Sequence, residues 1–228
     1  MAINPMDLSG KTFLLLGESS AIDSIIESVI SELGGTLISL KFESIAEIGT
    51  EITSLIQKVG AVDGFIHTLV RSDFRPLKFV KPDLVESSMN LNYGSFIEAV
   101  RILIKCKGIR NNSSIVTLSS VSSVKAMKAK MAFCSAKAAL DAAVRCLAVE
   151  LAEKGIRVNS IQKGYLDIDF EKDHIKNIAS VRKDNCDSVP PLGISDAKEI
   201  ANLTAFLLSD ATKTLTGTSI TLDGGLIA

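Results

Sequence analysis

The sequence predicts an α/β protein, a doubly wound parallel sheet in a single domain spanning residues 1–228. Three observations carry that expectation. Short apolar runs recur along the chain, each ending in glycine or in polar residues. A stretch with apolar residues at helical spacing follows most of them. The alternation continues from about residue 11 to residue 225 with no linker, internal repeat or low-complexity segment. Strand–helix alternation of this kind places parallel strands in one sheet with helices on both faces.

Each element follows from its own residues. "KTFLLLG" (11–17) reads as a buried strand ending at Gly17. Next, Ile22, Ile25, Ile26, Val29 and Leu33 recur at helical spacing, with Gly34 as C-cap. "TLISLKF" (36–42) is a second strand, and 44–60 a helix weakened by Gly49. "VDGFIHTLV" (62–70) is the third strand. A helix around 90–106, a strand at 113–120 and a long helix from about 132 to 153 come next; Ala136, Leu140, Val144, Leu147 and Leu151 form the last helix's apolar face. "IRVNSIQ" (156–162) is another strand. A polar stretch, about 165–195, reads as a mobile substrate lid. Residues 196–210 form an amphipathic helix with Asp196 as N-cap, and "GTSITLDGG" closes the chain as strand and turn. Ligands of such sheets bind at the carboxyl ends of the strands, which here are 17–23, 41–43, 67–72, 119–123 and 163–168.

Composition narrows the function classes. Of 228 residues, 46% are hydrophobic and 22% charged, enough for a substantial core. The net charge of −1, without long charge runs, argues against a nucleic-acid or anionic-membrane partner held by bulk charge. Cys106, Cys134, Cys146 and Cys186 lack metal or CxxC spacing and read as reduced, mostly buried thiols of a cytoplasmic protein. The N-terminus has no signal-peptide pattern, and no run approaches a membrane span.

"AFCSAKAALDAAVRCLAVELAEKGIRVNSI" (132–161) and "PLGISDAKEIANLTAFLLSDATKTLTGTSITLDGG" (191–225) closely resemble the second half of the short-chain dehydrogenase/reductase family. The resemblance extends over nearly the whole chain. It implies a Rossmann-type fold, a homotetramer or dimer built on the helices near 90–106 and 132–153, and hydride transfer between NAD(H) or NADP(H) and an alcohol or carbonyl substrate. It implies four catalytic positions. Ser120 matches the serine that binds the substrate oxygen, and Lys137 the lysine that lowers the pKa of the proton-donating tyrosine four residues before it. That tyrosine position holds Phe133. Asn90 or Asn92 stands for the asparagine that orders a water; the spacing fits neither cleanly, and Asn90 is the candidate. Phenylalanine has no ionisable proton, and loss of a positioned general acid costs about 10²–10⁴-fold in rate. The substitutes are poor. Tyr93 and Tyr165 are the only phenols, and Tyr165 is the one that follows the 156–162 strand; Cys134 points about 100° away along the helix. The enoyl-reductase spacing places Lys130 where its tyrosine belongs.

The resemblance places the cofactor along Gly17, Ser19, Ser20, Ile22, Lys41, Leu69, Lys137 and Gly164. This region departs from the family as well. TGxxxGxG reads "LGESSAID", with Ala21 and Asp23 in place of glycines and Asp23 near a helix N-terminus where phosphates would sit. NNAG reads "HTLV" (67–70), with His67 either structural or a base. PG reads "KG" (163–164). Only about 20 residues separate the second and third strands, so the family's edge strand is expected to be missing or vestigial, leaving about six strands. Lys41 ends the second strand and is either a solvated strand-end lysine or, at the position where a base favours the 2′-phosphate, a mark of NADP(H) over NAD(H).

Two functions follow. One is a pseudoenzyme, a member whose hydride transfer is lost or strongly impaired, its cofactor bound weakly or not at all. The other is an active NAD(P)(H)-dependent oxidoreductase on a small carbonyl or alcohol, resting on Ser120 and Lys137.

Overall fold

The computed structural model describes residues 4–40, 42, 44–166 and 190–228. Leu14 and Leu16 face one side of the first strand, β1 (Thr12–Leu16), and Phe13 and Leu15 the other; both sides are buried. A strand apolar on both faces belongs in the interior of a sheet covered by helices on each side. The sheet is six-stranded and fully parallel, in the order β2-β1-β3-β4-β5-β6. The remaining strands are β2 (Thr36–Ser39), β3 (Val62–His67), β4 (Ile109–Ser120), β5 (Arg157–Lys163) and β6 (Ser219–Leu222). As expected, among the described residues no strand lies beyond β2, and a helical segment leads from β2 back to β3.

Among the described residues the helices are α1 (Ala21–Glu32), α2 (Ile48–Val59), α3 (Pro82–Met89), α4 (Ser95–Lys105), α5 (Met131–Glu150) and α6 (Ala197–Leu208). Helices α2, α4 and α5 bury Ile48, Ile52, Ile56, Phe96, Val100, Leu103, Leu140 and Val144 against Leu14, Phe65, Ile115 and Val158. On the opposite face, α1 and α6 bury Ile26, Ile30, Ile200 and Ala205 against Phe13, Leu15, Ile66, Val116 and Ile161. Asp196 caps α6, as the sequence suggests, and its side chain accepts from the Lys198 N–H at 2.8 Å.

Four details differ from the sequence reading. β2 stops at Ser39 and β3 at His67, although the Leu40 N–H still donates to the Leu15 carbonyl at 2.8 Å and the Thr68 N–H to the Leu16 carbonyl at 2.9 Å. Helix α3 was not expected: it is short, opens with Pro82 at its first turn, and buries only Ser88. Between α3 and α4 the chain widens into a π-turn over Asn90–Gly94. β4 begins at Ile109, four residues early, with a register shift against β3 between Val62 and Gly64. Among the thiols, Cys106 and Cys134 are half-buried and Cys146 is exposed, a correction to their expected burial; Cys186 lies outside the described residues. The lid assignment falls largely on 167–189, also outside them. Among the described residues no helix is long and apolar enough to cross a membrane, and no cluster of His, Cys, Asp and Glu is arranged to hold a metal.

Candidate active site

Parallel strands direct their carboxyl ends to one edge, and the candidate residues gather there. Ser120 ends β4 opposite Lys163, which ends β5. The Ser120 hydroxyl accepts the Ser122 N–H at 3.2 Å, which caps a short turn over Val121–Ser123. From the first turns of α5, Phe133 and Lys137 face inward, 4% and 0% exposed. The Lys137 ammonium donates to the Leu118 carbonyl at 3.0 Å, two residues before Ser120. Its Nζ lies 5.9 Å from the centroid of the Phe133 ring, and so does the Nζ of buried Lys130. The arene therefore sits among cations.

Lys137 has no ion-pair partner among the described residues. Asp141, one turn further along α5, spends its carboxylate elsewhere: it accepts from Ser160 Oγ at 2.9 Å and Gln162 Nε2 at 2.8 Å. Burial pushes the Lys137 ammonium down to about 7; the neighbouring charge of Lys163 adds to this and Asp141 opposes it.

His67, at the end of β3, is fully buried. Its Nε2 lies 2.9 Å from Ser95 Oγ and its Nδ1 3.0 Å from Thr117 Oγ1. Ser95 spends its own proton on the Leu91 carbonyl, so its oxygen accepts. That fixes the hydrogen of the imidazole on Nε2, with Nδ1 accepting from Thr117. Burial holds His67 well below its usual pKa, and the charge of Lys137 adds to the effect. These bonds tie β3 to β4 and α4, which is the structural role.

At the amino end of α1, Ser20 is the N-cap and forms a capping box with Asp23. Asp23 is buried; it accepts the Ser20 N–H at 2.9 Å and the Thr68 hydroxyl at 2.6 Å. A Cβ built on Gly17 would lie 2.3 Å from Thr68 Oγ1 and 2.5 Å from Asp23 Oδ2, so Gly17 is what admits this internal carboxylate. Ser19 adopts a left-handed φ of 56° to make the turn. A bound pyrophosphate needs helix-terminal N–H donors and room for its own charge. Here the Asp23 carboxylate has taken the Ser20 N–H and lies against Gly17, so a pyrophosphate at this turn would meet an internal carboxylate and the residues present do not reproduce a pyrophosphate cradle.

The other proposed cofactor contacts are dispersed. The Ile22 side chain packs into the core between α1 and α6, and Leu69 into the core on the opposite face. Lys41 lies outside the described residues. Gly164 does lie at the edge, and a Cβ there would stand 2.8 Å from the Asp223 Cα. Asn90 is exposed. Asn92 is buried instead: its Oδ1 accepts the Arg71 N–H at 3.1 Å, and its Nδ2 donates to the carbonyls of Arg71 and Ser88. It clamps the loop after β3. Tyr93 packs against the core and Tyr165 is half-buried. Sequence reasoning missed the partners of Asp23 and His67, namely Thr68, Ser95 and Thr117, and only the exchange of NNAG for "HTLV" hinted at them.

A serine and a buried lysine at the carboxyl edge of a doubly wound parallel sheet form the frame of a Rossmann-type oxidoreductase. Residues 8–227 match the family described as Enoyl-(Acyl carrier protein) reductase. The chain is 29% identical over 256 residues to the oxidoreductase UcpA of Salmonella typhimurium, covering 96% of this chain and 95% of that one. It is 29% identical to the enoyl-[acyl-carrier-protein] reductase [NADH] FabI of Bacillus subtilis, over 88% of this chain and 81% of that one. A short-chain type dehydrogenase/reductase from Mycobacterium marinum superposes with a TM-score of 0.86 at 18% identity, over 98% of each chain. The chain belongs to the short-chain dehydrogenase/reductase family, whose members typically bind NAD(P)(H).

Proposed function

We propose that this chain is a member whose hydride transfer is lost or strongly impaired, a pseudoenzyme on an oxidoreductase frame. The observation that carries the reading is Phe133: the position from which α5 would present a proton donor holds a buried arene 5.9 Å from the Lys137 ammonium. Neither tyrosine occupies the Phe133 position: Tyr93 packs against the core, and Tyr165 is half-buried just beyond the end of β5. Asp23 supports the same reading, since its carboxylate stands where cofactor phosphates would be held. NADP(H) or NAD(H) therefore binds weakly or not at all. The protein acts as a cytoplasmic homo-oligomer, dimer or tetramer, joined through α4 and α5.

The alternative, an active reductase of a carbonyl or alcohol, draws on the clustering of Ser120 and Lys137 and on relatives named as reductases, including a 1-cyclohexenylcarbonyl-CoA reductase of Streptomyces collinus. Two measurements decide. In a thermal-shift titration with NADH and NADPH, a functional site gives about 2.7 kcal/mol of stabilisation at 100 times Kd; the expectation is no shift. Turnover of carbonyl substrates is then compared between the wild type and Phe133→Tyr. Wild-type turnover equal to that of the variant overturns the proposal.

A further inference from the structure

A net charge of −1 argues against attraction by bulk charge, but it leaves a local cluster open. Such a cluster stands at the carboxyl edge, in the loop between β3 and α3. Residues 71–81 read RSDFRPLKFVK, with Arg71, Arg75, Lys78 and Lys81 set among large apolar side chains. Leu77 is 75% exposed, Phe79 58% and Phe74 53%. Apolar side chains that line a groove are shielded by its walls, whereas these stand clear of the protein surface. The carboxylates nearest in sequence, Asp73 and Asp83, flank the tip; from Phe74 to Pro82 there is none. Arg71 lies 3.6 Å from Glu18, and the Lys78 ammonium 4.9 Å from the centroid of the Phe79 ring. Arg75, Lys78 and Lys81 are exposed and have no ion-pair partner among the described residues.

The loop is held in place. The Arg75 N–H donates to the Ala129 carbonyl at 2.6 Å, which ties the tip to the segment after β4. That segment adds Val124, which is exposed, and Lys128, exposed and likewise without an ion-pair partner among the described residues. At the tip the Phe79 N–H donates to the Pro76 carbonyl at 2.9 Å and the Val80 N–H to the Leu77 carbonyl at 3.0 Å, while Pro76 has no N–H. A turn that spends its donors internally can enter a poorly hydrated layer with little desolvation penalty.

We infer that this loop docks the protein on a lipid surface bearing anionic headgroups. Phe74, Leu77 and Phe79 enter the boundary between headgroups and acyl chains. Arg75, Lys78, Lys81 and Lys128 remain at the level of the phosphates, which their long stems allow. The protrusion of the apolar residues favours lipid over an acidic protein. A protein partner needs a pocket shaped for each of three side chains, whereas a fluid bilayer accepts them without one. The docked molecule turns its carboxyl edge, with Ser120 at the end of β4, toward the bilayer. The inference does not depend on whether hydride transfer is lost.

Co-sedimentation of the full folded chain with lipid vesicles tests it. The expected result is binding to phosphatidylcholine vesicles that contain roughly 30% phosphatidylserine, much weaker binding to pure phosphatidylcholine, and release at high salt. Arg75→Gln/Lys78→Gln/Lys81→Gln should lower the partition coefficient on the order of 100-fold, about fivefold for each charge. Phe74→Ser/Leu77→Ser/Phe79→Ser should lower it by about tenfold or more, with the circular dichroism of the wild type, because none of the three belongs to either core. Failure of the folded wild type to sediment with phosphatidylserine vesicles overturns the inference. So does an apolar variant that binds as tightly as the wild type. Retention of the wild type on immobilised polyglutamate without vesicle binding also overturns it, and assigns the strip to an acidic protein instead.

Discussion

Lys137 and His67 are two buried bases, and each ties stability to pH. Lys137 has a folded pKa near 7 against an ordinary 10.5. Between those values the unfolded chain binds the proton that the folded chain has released, so stability rises with pH across that window. Below about 7 both states carry the charge and the full penalty applies. The slope approaches 1.4 kcal/mol per pH unit for a single proton. Lys137→Met should therefore be more stable than the wild type at pH 7 and should flatten the rise toward pH 10 in urea denaturation; an unchanged alkaline slope would contradict this burial. His67 works in the acid range. Its folded pKa is depressed, so its contribution is fully present above about 6.5 and is lost as pH falls below it. Denaturation midpoints at pH 7.5 and 5.5 should differ less in His67→Gln than in the wild type, even though the variant starts lower after losing bonds to Ser95 and Thr117.

At the scale of the element, the start of α1 shows what the cofactor loop has become. Asp23 satisfies a helix-end donor and a buried hydroxyl together, so the anion that stabilises the helix belongs to the chain. Restoring glycine in the double variant Ala21→Gly/Asp23→Gly should cost about 1–3 kcal/mol through lost capping and added backbone freedom. NADPH should then produce a thermal shift that the wild type lacks. A destabilised variant that still ignores NADPH would show that other groups close the site. The same elements show how far sequence carries. The six strands were legible because apolar runs and helical spacing mark them directly, whereas the missing edge strand and the candidate positions Ser120, Phe133 and Lys137 came only from the resemblance to the family. Helix α3 was not, since its residues are largely exposed and leave no apolar stripe. The π-turn at Asn90–Gly94 adds a residue to the helical repeat, so residue spacing could not tell Asn90 from Asn92. Thr68, Ser95 and Thr117 are hydroxyls from three different elements, and no local pattern announces that they meet Asp23 and His67.

At the scale of the whole molecule, α5 carries two stripes rather than one. Ala132, Ala136, Leu140, Val144 and Ala148 face the sheet. Met131, Ser135, Ala138, Arg145, Cys146 and Val149 point outward, and Val149 is 79% exposed. A helix with apolar or small residues on its outer side as well suits burial against a second protein surface. Small residues at 135 and 138 allow the backbones of two helices to come close, and a two-fold axis across α5 would make each stripe its own partner. The expected species in light scattering at micromolar concentration is a dimer or tetramer. Arginine at two points of the stripe, in Ala138→Arg/Val149→Arg, should shift it to monomer while the far-ultraviolet circular dichroism stays unchanged, because neither residue belongs to the core. Lys137 and Phe133 lie on the opposite side of the same helix, so the rise in stability with pH that Lys137 causes should persist in the monomer. A wild type that is already monomeric would remove the assembly through α5, and a monomer without that alkaline rise would show that the packing of α5 against its partner sets the environment of Lys137.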